Sequence, residues 1–339
     1  MKIVGAEVYT EKHLFKLKDI CMEGEYITDS STDNEVIDAT GLYAIPGLVD
    51  IHLHGAMGND FCDTDVNGLE KIAEYEARNG ILAICPATMT YTEEKLGIVM
   101  DTAKTFASRQ TRRKNAAAAD LVGINMEGPF ISPGKTGAQN PKYVTSPDVE
   151  MFRRLQERSG GLVRLLDIAP EVEGGFAFID ACHKEVNISL AHSCADYQTA
   201  CNAFDRGAKH CTHLYNAMPG IHHREPGPVI AALEKNAEVE IITDGIHIHP
   251  AMVRFTFRIF QENKVILISD SMEAAGLPDG KYRLGGQDVT VQGRRAFLTR
   301  DPQTVAGSVT NLYDCMKTAV MEMGVPLEQA VRAATENPA

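Results

Sequence analysis

The chain has 339 residues, with 46 Asp and Glu against 33 Lys and Arg, so its formal net charge is −13. A surface this acidic repels the phosphates of nucleic acids and of anionic membranes, which sets binders of either aside. Hydrophobic residues at 44% beside charged residues at 23% exclude a disordered or fibrous chain, and since single cores stop growing at roughly 250–300 residues, one large domain plus a small one is expected.

From Lys2 to Ile37 the apolar runs are short: Ile3-Val4, Glu7-Val8-Tyr9, Leu14-Phe15-Lys16-Leu17 and Tyr26-Ile27, parted by Gly, Asp and Ser. They predict small antiparallel strands with tight turns. After Ala44-Ile45-Pro46-Gly47, strand-like runs alternate with helical segments, the pattern of repeated βα units and a parallel sheet. The strand candidates are Leu48–Leu53, Ile81–Cys85, Leu121–Met126, Val163–Ala169, Asn187–Ala191, Lys209–Thr212, Val239–Thr243 and Val265–Ser269. Between them, Leu96, Val99, Met100, Ala103, Phe106 and Ala107 form one helical stripe; Val309, Leu312, Tyr313, Met316, Ala319, Val320 and Met323 form another.

Eight such units predict an α/β chain: a TIM (β/α)8 barrel over residues 46–339 behind a small β domain over residues 1–45. An open doubly wound sheet would alternate too, but no Gly-x-Gly-x-x-Gly follows the first strand. Gly280–Arg300 breaks the alternation and reads as a β-hairpin insertion. Lys142–Pro147 and His222–Pro228 read as loops past strand ends, on the face where barrel enzymes place their chemistry.

Eight cysteines are scattered singly with no C-x-x-C, as expected of reduced, buried thiols. Met1–Glu7 lacks the apolar stretch of a signal peptide, and no window reaches the ~18 apolar residues of a membrane span. A cytoplasmic location without a membrane partner is the expectation.

The first barrel strand runs into Asp50-Ile51-His52-Leu53-His54-Gly55, and alternation puts His52 and His54 on one face. Alone, such a pair reads equally well as metal ligands or as hydrogen-bonded core histidines. Their company favours a metal: Glu127 ends strand three, His192 strand five, His213 strand six and Asp270 strand eight. Ionisable groups after apolar runs such as Val265-Ile266-Leu267-Ile268 are costly to bury unless they bind something, and this set suffices for one or two ions.

This arrangement resembles the amidohydrolase superfamily. More narrowly, Glu127-Gly128-Pro129-Phe130, Ala191-His192-Ser193, Thr212-His213-Leu214-Tyr215-Asn216-Ala217-Met218, Asp244-Gly245-Ile246-His247 and Ser269-Asp270-Ser271-Met272 resemble its N-acetylglucosamine-6-phosphate deacetylase branch, from about Ile45 to the last residue. The resemblance implies that Glu127, His192 and His213 hold a principal ion, that Glu127 bridges to a second ion on His52 and His54, and that Asp270 is general base and then acid. Strand four, Leu165-Leu166-Asp167-Ile168-Ala169-Pro170, offers no Lys to carboxylate, so Glu127 supplies the bridge. The ligand set is compatible with Zn²⁺ or Fe²⁺ first, and with Mn²⁺ or Co²⁺.

It further implies hydrolysis of N-acetyl-D-glucosamine 6-phosphate to glucosamine 6-phosphate and acetate in amino-sugar catabolism. The sugar is expected against Ala138, Gln139, Asn216, Ala217, Asp244, His247, Val305, Ala306 and Gly307, with its phosphate on Arg224 reaching from the second subunit of a homodimer. Arg224 alone also reads as a solvated loop charge. Gln139, where some members have His, can donate to a carbonyl or a hydroxyl but cannot carry a proton. The alternatives are a related sugar such as N-acetylgalactosamine 6-phosphate, or a non-catalytic binding protein on the same fold. His183 and His249 are read as structural. The family normally continues past Ala339 into strands that complete the small β domain, so here that domain is expected to lack partners.

Overall fold

The computed structural model describes residues 1–110 and 118–339. In the N-terminal sheet, β1 (Lys2–Tyr9) pairs antiparallel with β2 (Phe15–Glu23), which pairs with β3 (Tyr26–Thr28). On the other side of β1, β4 (Val36–Asp38) and β5 (Tyr43–Ala44) run parallel to it. The runs named from the sequence pair antiparallel as expected, whereas β4 and β5 lie outside them: after β3 the chain crosses back to the start of β1, where Lys2 pairs with Val36. Leu17, Tyr26, Ile27 and Tyr43 of this sheet are exposed.

The barrel strands are β6 (Leu48–Asp50), β9 (Ile81–Ile84), β10 (Asp120–Leu121) with β11 (Ile124–Met126), β12 (Val163–Ile168), β13 (Asn187–Leu190), β14 (His210–Cys211), β15 (Glu238–Ile242) and β16 (Val265–Ile268); β7 (Gly55–Ala56) and β8 (Asn59–Asp60) form a two-residue ladder beyond β6. β6, β9 and β10 pair in parallel, as do β11 through β16 in chain order. β10 and β11 are the predicted third strand, interrupted at residues 122–123; a bridge between Ala87 and Asn125 carries the ladder across. The ring closes where the Asp270 N–H donates to the His52 carbonyl at 2.9 Å.

Nine helices among the described residues clothe it: α1 (Val66–Arg78), α2 (Glu93–Gln110), α3 (Val149–Ser159), α4 (Gly175–Cys182), α5 (Tyr197–Asp205), α6 (Gly227–Glu234), α7 (Pro250–Ile259), α8 (Leu312–Met321) and α9 (Leu327–Ala334). The α2 stripe is buried as its spacing predicts, from Leu96 to Phe106. In α8, Leu312, Met316 and Ala319 face inward, but Tyr313 is exposed and Cys315 lies in the core. α8 and α9 both pack on β6 and β16, covering the closure seam. His249 accepts the Ala251 N–H at the start of α7, and His183 contacts the Ile179 carbonyl at the end of α4, so both are structural.

The insertion is larger than one hairpin. β17 (Gly280–Leu284), β18 (Gln287–Gln292), β19 (Arg295–Leu298) and β20 (Asp301–Val305) form an antiparallel sheet in that order. The Asp301-Pro302 pair reads as a turn in sequence, yet proline is tolerated on an edge strand, where its missing N–H is not needed. The sheet is rooted beside the last barrel strand, for the Ser308 N–H donates to the Asp270 carbonyl at 2.7 Å.

Candidate metal centre

Past the end of β6 the chain bends at Ile51, and His52 and His54 both reach Glu127 and Asp270 at the mouth of the barrel, both buried. Glu127 follows β11, His192 follows β13, His213 follows β14 and Asp270 follows β16. Three of these residues leave their strands through the left-handed region, with φ 45° at His192, 31° at His213 and 49° at Asp270. Such a backbone costs a non-glycine residue about 1–3 kcal/mol, and it occurs where surrounding structure holds a side chain in a required direction. Gly128, at φ +80°, sits so close to Thr90 that a Cβ would lie 2.2 Å from its Oγ1; only glycine lets the chain turn directly after Glu127.

Glu127 divides its two oxygens. Oε1 lies 2.9 Å from His192 Nε2 and 3.1 Å from His213 Nε2. Oε2 lies 3.4 Å from His54 Nε2 and 3.7 Å from His52 Nε2. Both trios, His52 with His54 and Glu127, and Glu127 with His192 and His213, keep their ligand atoms within 4.8 Å of one another. Asp270 Oδ1 is 3.2 Å from His54 Nε2 and 3.8 Å from His52 Nε2.

The histidine tautomers follow from their outer partners. His192 Nδ1 is 2.8 Å from the Lys135 carbonyl and His54 Nδ1 is 3.2 Å from the Ala87 carbonyl; a carbonyl only accepts, so both Nδ1 atoms carry the proton. His52 Nδ1 meets the Glu240 carboxylate at 3.0 Å. Each of these three rings therefore turns an Nε2 lone pair inward, while buried His213 Nδ1 has no hydrogen-bond partner. His192 and His213 bring their Nε2 atoms to 3.2 Å beside a carboxylate oxygen, and buried His52 Nε2 has no hydrogen-bond partner. Inward lone pairs, an unpartnered imidazole nitrogen and a shared carboxylate, without a thiolate, fit one or two divalent cations.

The field points the same way. Burial works against the charged form of His52, yet Glu240 and Glu127 outweigh it and raise its pKa well above 6.5. Surroundings that draw a proton so strongly also draw a metal cation. Burial pushes the Asp270 carboxyl up, but His54, His52 and His247 more than offset it and hold it below its ordinary value, so Asp270 is a carboxylate at neutral pH.

Above this cluster is a cavity of about 250 Å³. Of the sequence-predicted sugar contacts, Ala138, Gln139, Asn216, Ala217, His247, Val305 and Gly307 line it. The other three predicted contact residues stand off this wall. Asp244 lies beside His247 and not on the wall: its Oδ2 meets His247 Nδ1 at 2.8 Å, and its Oδ1 accepts the Ile246 and His247 N–H groups. Ala306 is fully buried behind the wall, and Arg224 stands on an exposed loop with its guanidinium on His223. Gln139 uses its amide on the protein, donating to Glu127 Oε2 at 2.7 Å and accepting the Thr90 N–H at 2.6 Å. Met89, Gly137, Leu284 and Thr304 complete the wall unannounced by any motif. Glu240 also went unnoticed, although a carboxylate inside the apolar run Val239 to Ile242 was a usable signal.

The amidohydrolase family model matches residues 43–339. An N-acetylglucosamine-6-phosphate deacetylase of Bacillus subtilis (strain 168) is 38% identical over 272 residues, which is 80% of this chain and 68% of that protein. An N-acetylgalactosamine-6-phosphate deacetylase of Escherichia coli O157:H7 is 34% identical over 296 residues, 87% of this chain and 76% of that one. Among solved structures, a variant N-acetyl-D-glucosamine-6-phosphate deacetylase from Mycobacterium smegmatis, in complex with N-acetyl-D-glucosamine-6-phosphate, matches with a TM-score of 0.91 at 30% identity, over 100% of this chain and 89% of that one.

Proposed function

The chain belongs to the amidohydrolase family, and from that membership and its site we infer that it is a metal-dependent deacetylase of N-acetyl-D-glucosamine 6-phosphate, releasing glucosamine 6-phosphate and acetate in amino-sugar catabolism. The observation that carries the reading is Glu127, with one oxygen toward His192 and His213 and the other toward His52 and His54, beneath a cavity that Asp270 also lines. The galacto epimer is the second reading, favoured by the 34% identity to the Escherichia coli relative.

Glu127, His192 and His213 would hold the principal ion, and His52 and His54 a second one with Glu127 between. Bound there, a divalent ion would supply Lewis acidity toward the acetamide carbonyl and would lower the pKa of water from ~15.7 toward ~7. Zn²⁺ or Fe²⁺ suits this donor set best. The Asp270 carboxylate takes the proton from the attacking water and returns it to the departing nitrogen, one group serving as base and then acid. Burial lowers the pKa of His247, but the Asp244 carboxylate outweighs it and raises the value above 6.5, which favours the protonated ring with an Nε2–H toward the cavity. Met89 and Leu284 give the cavity wall an apolar side.

No lysine or arginine is among the described residues lining the cavity. A phosphate there needs a cation, so exposed Arg224 is assigned to reach the cavity of a second copy in a homodimer, where its planar fork suits a phosphate. Eight free cysteines, seven of them buried, support a reducing compartment, the cytoplasm. No helix among the described residues is long and apolar enough to cross a membrane. The proposed division is a β domain over residues 1–45 and a catalytic barrel over residues 46–339.

The test is acetate release from N-acetylglucosamine 6-phosphate beside its galacto epimer and its unphosphorylated form, on protein whose metal content is measured by elemental analysis. Turnover fastest on the gluco phosphate supports the assignment. Preference for the galacto phosphate selects the second reading, and metal-loaded protein inert on all three overturns both.

A further inference from the structure

Glu240 lies in β15 inside the barrel, fully buried, and takes no part in the reaction outlined above. Its Oε2 receives His52 Nδ1 at 3.0 Å and the backbone N–H of His213 at 3.2 Å. One carboxylate oxygen thus touches a residue from each of the two ligand trios. Behind it, Oε1 has no hydrogen-bond partner and faces His210 Nε2 at 3.7 Å. His210 is in turn tied to Ser189 Oγ at 2.9 Å, Ser189 to Thr212 Oγ1 at 2.6 Å, and Thr212 to Asp167 Oδ1 at 2.7 Å. A polar chain therefore runs through the barrel interior and ends on His52.

A buried carboxylate is expensive unless a cation compensates it. Among the described residues no lysine or arginine pairs with Glu240; every charged contact it makes is to a histidine. The His52 Nε2 lone pair faces inward only while an acceptor holds the proton on Nδ1. The other nearby polar atom, Asn125 Nδ2 at 3.3 Å, is a donor and would favour the opposite tautomer.

We propose that Glu240 is the positioning residue of the His52–His54 ion site: it fixes the His52 tautomer and supplies the buried negative charge that the second cation offsets. In the Glu127–His192–His213 site the His192 ring answers to the Lys135 carbonyl, and Glu240 reaches His213 only through its backbone N–H. The inference rests on the metal-dependent reading of this centre, but not on its substrate.

The test titrates Co²⁺ alone into metal-free full-length protein, following absorbance and calorimetry, with stoichiometry confirmed by elemental analysis after dialysis. The parent is expected to take up two ions. Glu240→Gln, which keeps the shape and loses the charge, should weaken one site on the order of 10–100-fold and leave the other within about twofold. Glu240→Leu, which removes the acceptor, should bind a single ion; Glu240→Gln keeps the test decisive if that variant fails to fold. A parent with one ion only, a Glu240→Gln variant with both sites unchanged, or equal weakening of both sites overturns the proposal. Since no step measures acetate, failure of the deacetylase reading and failure of this inference are separately visible.

Discussion

Gln139 and Glu127 are joined side chain to side chain at 2.7 Å, on the Glu127 oxygen that faces His54. The same amide caps the buried Thr90 N–H, so Gln139 pins the shared carboxylate to the loop after β9. Gln139→Leu leaves the buried Thr90 N–H without its acceptor, a cost of about 1–3 kcal/mol, and takes a donor away from the Glu127 carboxylate. The variant should melt earlier and bind metal on the order of 10–100-fold more weakly. Thermal melts with and without Zn²⁺ measure both effects; unchanged metal affinity would show that Glu127 needs no help from the amide.

Asp270→Asn keeps the shape at the end of β16 but cannot accept a proton. Turnover should fall at least about 10²-fold, the lower range of general acid–base contributions, while elemental analysis finds the parental metal content. Activity close to the parent would remove Asp270 from the role of base.

Arg224 separates phosphate recognition from chemistry. Arg224→Ala should raise KM for the phosphorylated sugar about tenfold or more with little change in kcat, and should not alter turnover of the unphosphorylated sugar. If KM stays put, the phosphate rests on Lys135 and Arg300, which line an adjoining hollow that shares Gly137, Ala217 and Thr304 with the cavity.

Glu76 on α1 is fully buried with both carboxylate oxygens unpartnered. Burial, and then the Asp50 carboxylate, raise its pKa well above 4.5. A folded pKa above the unfolded one gives stability that is complete below the unfolded value and is lost as pH rises through the folded one. Glu76→Gln abolishes that loss. Its melting temperature should therefore pull ahead of the parent's as the pH is raised from about 5 to about 9, and melts across the range whose difference stays constant would refute the assignment.

What the sequence disclosed and what it hid differ in kind. Strand ends that pass from Ile, Leu and Val into His, Glu or Asp mark the ion-holding residues, because a charge after an apolar run has no inexpensive place to go. The outer partners of those residues are hidden: the Lys135 and Ala87 carbonyls belong to the backbone, and any residue type could supply them. β20 was missed because proline reads as a breaker, while β4 and β5 run parallel to β1 through a crossover that local patterning does not encode.

The insertion after β16 has an evolutionary consequence. The ion-holding side chains issue from barrel strand ends, whereas Leu284, Thr304 and Val305 come from one contiguous stretch that touches the substrate loop through Gln287 and the Ala138 carbonyl. One side of the cavity wall is thus written apart from the strand ends that hold the ions. Exchange of residues 280–305 can recut the mould around the sugar while the catalytic apparatus below is inherited intact, a modular route by which one scaffold comes to serve several amino sugars.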